Sequence, residues 1–228
     1  MNGWSNERWA ASTGIGFAVL LLVGGLLPGS PKNWDASPAV IQSYLRGEHR
    51  ELLVAGILFG VAYILFLWFL ASFAGLFREA GQGRLATIVY GAGVATIAVG
   101  AVSDGLGMAL AKVTYTGDPH TVATLYGVQS WLQGRVLWTA AALALATWLA
   151  VRRSRVLPGW YGWLTLLAAA LFVLGGLALR NGGFFSAADG AMGLISFLAI
   201  VVWIGVSSAL LVARAGEAET SAPSPTMT

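Results

Sequence analysis

The chain has no cysteine in 228 residues, which excludes a disulfide framework, a zinc-thiolate site, an iron–sulfur cluster and a cysteine nucleophile at once. Charge is scarce as well. Only 10% of the residues are Asp, Glu, Lys or Arg, against about 25% in a soluble globular domain. With 57% hydrophobic residues and a mean hydropathy of +0.74, a water-facing surface cannot be assembled, and the composition is that of an integral membrane protein. There are only two histidines, His49 and His120, and neither falls at mid-span, so a transmembrane bis-histidine haem is excluded. His49 and His120 have Glu48, Glu51 and Asp118 nearby in sequence but lack the spacing of a metal site. Gly91-Ala-Gly93 has Thr96 where a dinucleotide fingerprint needs its third glycine. No Gly-x-Ser-x-Gly, P-loop or Asp-rich diphosphate motif occurs. No metal and no cofactor is therefore implied. Eleven Arg against two Lys, with abundant Ala, Gly, Leu and Val, points to a GC-rich bacterial genome.

What remains is a set of uncharged runs, each near the roughly 20 residues that a bilayer-crossing helix needs. They predict an all-α polytopic bundle of six helices in one domain, residues 1–214, with spans at about 9–28, 52–77, 85–111, 131–151, 159–179 and 190–213. The first run lacks a strongly basic start and a small-x-small cleavage site, so it reads as a retained helix rather than a signal peptide. Residues 215–228 are Ala, Ser, Thr, Pro and Glu with little to bury, and are expected to form a disordered cytoplasmic tail.

Arg78, Arg84, Arg152, Arg153 and Arg155 crowd two short turns, whereas Lys32, Arg46, Arg50, Lys112 and Arg180 are spread over three longer connections. The dense side is expected to be cytoplasmic. Both termini then lie inside, in a multi-pass protein of the cell membrane. The net charge of +3 is concentrated on that inner side, where it suits anionic headgroups and gives no reason to invoke nucleic acid. On the outer side, Ser37-Pro38 and Asp118-Pro119 are helix-start pairs. The first predicts a short amphipathic helix on the outer membrane surface, broken near Gly47 before His49 and Arg50 open the second span. The second predicts a helix from Pro119 to Val151, about 50 Å long, whose first turns stand outside the hydrocarbon or bend near Gly127.

Ionisable groups inside a membrane are functional candidates by default, and here they are Asp104 and Arg135. Measured from the inner ends of their helices they lie about 28 and 24 Å up, so an ion pair near the outer headgroups is geometrically allowed. Snorkelling of Arg135 through an aromatic belt formed by Trp131 and Trp138 is the structural alternative. Gly93, Gly100 and Gly107 recur on one face of the third span, and Gly56-x-x-x-Gly60 sits in the second, a pattern for close intramolecular packing. Asp104 falls within that stripe and is expected to point toward protein.

These features suggest a cavity opening outward that holds a small, largely apolar molecule or a lipid. Arg135, Trp138 and Trp131, with His49 and Arg50, are the ligand-binding candidates. Membrane lipids and a small hydrophobic ligand are the expected partners. A terpene cyclase or isomerase with Asp104 as its catalytic acid is a second reading. A small-molecule transporter, or an accessory subunit of another membrane protein, is a third.

Two stretches carry a family resemblance. Ser37-Pro-Ala-Val-Ile-Gln-Ser-Tyr-Leu-Arg-Gly-Glu-His49-Arg50 and Leu157-Pro158-Gly-Trp160-Tyr-Gly162-Trp163-Leu164 resemble a group of uncharacterised actinobacterial-type membrane proteins. That resemblance implies a bundle of six or seven helices and no particular activity.

Overall fold

The computed structural model describes residues 3–177, 183–185 and 191–220. Among these residues there are seven helices and no strand: α1 (Gly3–Leu26), α2 (Pro38–Gly47), α3 (His49–Glu79), α4 (Gly83–Val113), α5 (Pro119–Ser154), α6 (Gly159–Gly176) and α7 (Ala191–Thr220). All but α2 are long and apolar enough to cross a membrane. Helix is the form such runs must take in lipid, because it satisfies every backbone N–H and C=O within the segment.

The helices outrun the apolar stretches that predict them. α5 starts at Pro119 because Asp118 caps it: the carboxylate accepts the Thr121 backbone N–H at 3.0 Å. That hydrogen bond, above all, holds the Asp118 carboxyl below the usual carboxylate range. With 36 residues, α5 is about 54 Å long, so its first turns overhang a hydrocarbon layer of about 30 Å. α7 runs on to Thr220, so residues 215–220 of the expected disordered tail are helical. Ala and Glu favour helix, and extending a formed helix adds one hydrogen bond per residue fixed. Residues 221–228, Arg180 and the far ends of the predicted fifth and sixth spans lie outside the described residues.

Each long helix packs against two neighbours, in the circuit α1–α3–α4–α5–α6–α7, and contact between α7 and α1 closes it. On α3, Phe66, Phe69, Phe73 and Phe77 recur at helical spacing as a nearly buried aromatic ladder, with Phe17 of α1 against its top. In the same core α5 contributes small residues, Ala140, Ala141, Ala144 and Ala150. Gly93, Gly100 and Gly107 are all buried and face Leu70, Tyr63 and Gln129 respectively. Gly56 meets Met108, but Gly60 faces open space, so the Gly-x-x-x-Gly pair of α3 does not act as one contact face.

Hydroxyl groups supply directional bonds between helices. Ser207 Oγ donates to the Trp203 carbonyl at 2.6 Å, so the Tyr161 phenol, 2.6 Å away, must donate to Ser207. Trp203 Nε1 donates to Thr165 Oγ1 at 3.1 Å, and Thr165 in turn donates to the Tyr161 carbonyl at 2.8 Å. The chain of bonds joins α6 to α7 with every buried polar group in it satisfied. Across α1 and α7, Ser208 Oγ donates to the Ala11 carbonyl and accepts the Ile15 N–H at 3.1 Å. An α-helix ordinarily pairs those two backbone groups with each other.

Beyond the bundle, Ile41 and Leu45 of α2 join Leu110, Val122 and Tyr126 in a second small core. The amphipathic helix expected on the membrane surface therefore buries its apolar side against the overhanging ends of α4 and α5, not in lipid. Gln42 and Arg46 reinforce this docking by donating to the Thr114 carbonyl at 3.0 and 3.1 Å. Ser37 does precede α2, but through its backbone carbonyl, with no side-chain cap.

Within the core, Thr147 is fully buried on α5 and its hydroxyl has no hydrogen-bond partner. A buried unsatisfied hydroxyl costs about 1–3 kcal/mol. Thr147→Val should therefore raise stability, by about 1 kcal/mol, measured as a higher unfolding midpoint in detergent. A lower midpoint would mean the hydroxyl is bonded.

Candidate functional site

Helical side chains lean toward the N-terminus of their own helix. Since α3 and α4 are antiparallel neighbours, Tyr63 on α3 leans toward the end of the bundle that carries α2, and Asp104 on α4 leans away from it. The two meet. Tyr63 Oη donates to Asp104 Oδ2, and both residues are half-buried. A methyl group on Gly100 would lie 2.8 Å from the phenolic oxygen, so the glycine is what lets the phenol occupy this place. Asp104 thus points toward protein, as its position in the glycine stripe suggests.

Its partner is not Arg135. Ser103, beside Asp104, donates to the Gln129 carbonyl at 3.3 Å, which sets the register of α4 on α5. Arg135 lies six residues beyond Gln129, about 9 Å farther along the axis and rotated by about 240°. It is exposed on the outer surface of α5, where its guanidinium lies over the Trp131 ring, 5.5 Å from the centroid. Val128, Trp131, Arg135 and Trp138 are all found on the outside of α5, Val128, Trp131 and Trp138 with 48%, 40% and 38% of their surface exposed. Trp138 is also an anchor: Nε1 donates to the Gly176 carbonyl at 3.2 Å, tying α5 to the end of α6.

His49 and Arg50 stand elsewhere. His49 Nδ1 lies 2.8 Å from the Ala111 carbonyl, and its ring meets Tyr115 edge-on. Because a carbonyl only accepts, Nδ1 carries the proton, and the histidine pins the start of α3 to the end of α4. Arg50 is exposed with no partner among the described residues. No group of three His, Cys, Asp or Glu able to hold a metal occurs among the described residues.

Two open grooves lie at the α2 end. The larger, about 430 Å³, runs beside the overhang of α5 and is bounded by Trp34, Pro38, His120, Gly127, Val128 and Trp131. Trp34 and Trp131 pack on each other there, with ring centroids 6.0 Å apart and planes tilted by 52°. The smaller, about 350 Å³, lies between α2 and the preceding loop, at Lys32, Tyr44 and Glu48. That loop is clasped from several sides. Tyr126 Oη donates to the Lys32 carbonyl at 2.8 Å and accepts its N–H at 3.1 Å, while Glu48 accepts the Gly29 N–H at 3.0 Å. Burial, then the proximity of Tyr126 and Glu48, pushes the Tyr44 phenol above its ordinary range, so it stays neutral. Asp104 lines neither groove.

Sequence reasoning missed Tyr63, Trp34 and His120 as neighbours of these features. Tyr63 carried a signal, since a tyrosine within an apolar span needs a partner for its hydroxyl. Trp34 and His120 lie on separate connections, and only the docking of α2 on α5 brings them together.

The Tyr63–Gly100 contact can be tested by a double-mutant cycle. Gly100→Ala should destabilise the protein, and less so when combined with Tyr63→Phe, because the added methyl meets the phenolic oxygen first. A coupling of about 1 kcal/mol is expected, read from unfolding midpoints. Strict additivity would mean the two residues do not touch. Comparison of the chain with known protein families, with characterised proteins and with solved structures finds no match to any of them.

Proposed function

We propose that this multi-pass membrane protein holds an amphiphilic molecule, a lipid or a small, largely apolar compound, in the groove lined by Trp34 and Trp131. The observation that carries this reading is the packed indole pair that lines an open groove of about 430 Å³, a volume within the usual range of small-molecule sites. Trp131 and Trp148 lie about 26 Å apart along α5, close to the hydrocarbon thickness. The groove therefore opens where the hydrocarbon layer gives way to water, and an amphiphile can enter from the bilayer and keep its polar end wet.

This moves the binding site assigned from sequence. Trp131 and Arg135 stay with it, Trp34 and His120 join it, and His49 and Arg50 serve the packing and surface of α3 instead. The cyclase or isomerase reading has less support, since Asp104 is held by Tyr63 and lines neither groove. The two stretches that resemble actinobacterial-type membrane proteins both have structural work here. The first forms α2 and its docking surface. In the second, Trp160 and Trp163 are exposed while Tyr161 and Gly162 are buried.

Purification in polymer-bounded nanodiscs followed by lipid extraction or native mass spectrometry tests the proposal. The wild type should retain a defined amphiphile, and Trp34→Ala with Trp131→Ala should lose most of it. A wild type that retains nothing beyond bulk lipid would reject the proposal.

The dense arginines at the α3–α4 and α5–α6 turns support an orientation with those turns in the cytoplasm and the groove outside, by the charge rule for short loops. The absence of cysteine allows a clean check. In intact cells Ser43→Cys should react with a membrane-impermeant maleimide and Arg153→Cys should not; the reverse pattern would invert the orientation.

A further inference from the structure

Arg135 is a charge within a membrane-spanning helix against which the described residues place no carboxylate. Intramembrane charges almost always face the bundle interior, a water-filled cavity or an opposite charge. Arg135 does none of these. Its side chain lies on the outer surface of α5, and the described residues place no carboxylate against it: Asp104 is turned to Tyr63, and Asp118 caps the first turn of α5, about 25 Å away.

The second arginine–tryptophan pair on the same helix makes the contrast clear. Arg152 lies over Trp148, 6.0 Å from the ring centroid, and there the arginine is the more terminal residue, so its backbone is nearer to water than its tryptophan's. At the other end the order is reversed. Arg135 is one turn deeper than Trp131, with its Cα about 6 Å toward the middle of the helix. Its side chain leans back toward the groove's end of the helix, as helical geometry dictates, and its guanidinium lies over the ring of Trp131, a residue that lines the groove.

We infer that the amphiphile in the Trp34–Trp131 groove is an anionic glycerophospholipid from the adjoining leaflet, its phosphodiester paired with Arg135. This rests on the groove reading above and names the class of its ligand. A planar guanidinium matches two phosphate oxygens at once. The site faces the bilayer sideways, so the anion arrives on a lipid that diffuses in the leaflet, not from water. The acyl chains have a continuous path below Arg135 along the exposed Trp138, Leu145 and Leu149 of the same helix. The headgroup beyond the phosphate then lies in the groove above, beside the neutral indoles, with His120 in the groove's lining.

The test uses the full chain in nanodiscs of phosphatidylcholine containing a minor fraction of phosphatidylglycerol, read by native mass spectrometry. Wild type should hold one phosphatidylglycerol in preference to phosphatidylcholine. Arg135→Gln should lower that preference roughly fivefold, the effect of one cation near a membrane surface, and Arg135→Lys should restore part of it. Arg153→Gln, at the opposite end, should leave it unchanged. Because Arg135 is exposed, equal unfolding midpoints for wild type and Arg135→Gln are expected and verify that the fold is intact. If wild type holds a lipid with no headgroup preference, or if Arg135→Gln keeps the preference, the inference fails while the groove reading stands. If no lipid is held at all, the groove reading itself fails. Inorganic phosphate at millimolar concentration should not displace the lipid; displacement would mean that the anion is taken from water, and would overturn the assignment to a phospholipid.

Discussion

Lipid removes the force that assembles soluble proteins. Between two helices already in a bilayer, burial of apolar surface gains nothing over contact with acyl chains, so association depends on close approach and on polar bonds that the solvent cannot replace. Everything that holds this bundle follows from that constraint. Glycines on α4 admit Leu70, Tyr63 and Gln129, buried alanines on α5 keep its core side small, and serine and threonine hydroxyls on α6 and α7 supply the remaining direction. The same constraint explains the economy of charge. A carboxylate or guanidinium left at an apolar surface is costly, and within the spans Asp104 is bonded to Tyr63 while Arg135 lies over Trp131 with no carboxylate against it among the described residues.

The structure divides by end. At the turn end, arginines cluster around short connections, and Arg155 adopts a left-handed conformation at φ +53° to close α5, a position more often given to glycine. Arg214 of α7 donates to the Val156 carbonyl at 2.6 Å and holds that connection. The α2 end is built differently, from overhanging helices and a docked amphipathic helix with its own small core. Grooves form there because elements of different directions meet at an angle and leave space that straight packing in the bundle does not.

How much of this was legible without coordinates depends on which property each feature required. Helix number, the starts at Pro38 and Pro119 and the length of α5 follow from uncharged runs, Pro after a capping residue and 1.5 Å per residue. The buried faces of Gly93, Gly100 and Gly107 follow from their spacing. Neither rotation about the helix axis nor the register between neighbouring helices follows from any of these, and that is why Asp104 and Arg135, close in depth when counted from their helix ends, face different neighbours. Long-range docking was equally hidden. The sequence around Ile41 and Leu45 shows an amphipathic helix, but whether lipid or protein covers its apolar side depends on Val122 and Tyr126, some eighty residues away. The motif around Trp160 shows the opposite case: its two tryptophans read as interface anchors, yet the buried Tyr161 between them is what joins α6 to α7.

Closure of the circuit has a consequence for how the protein is made. α1 packs mainly against α3 and α7, and the splice of Ser208 into its backbone ladder joins residues 193 positions apart. During synthesis α1 leaves the ribosome well before α7 and waits in the membrane until that helix arrives, with one flank open to whatever else is being inserted. The joining of α1 to α7 is thus a long-range contact made late, and a chain interrupted before Ser208 would leave a bundle with an open seam.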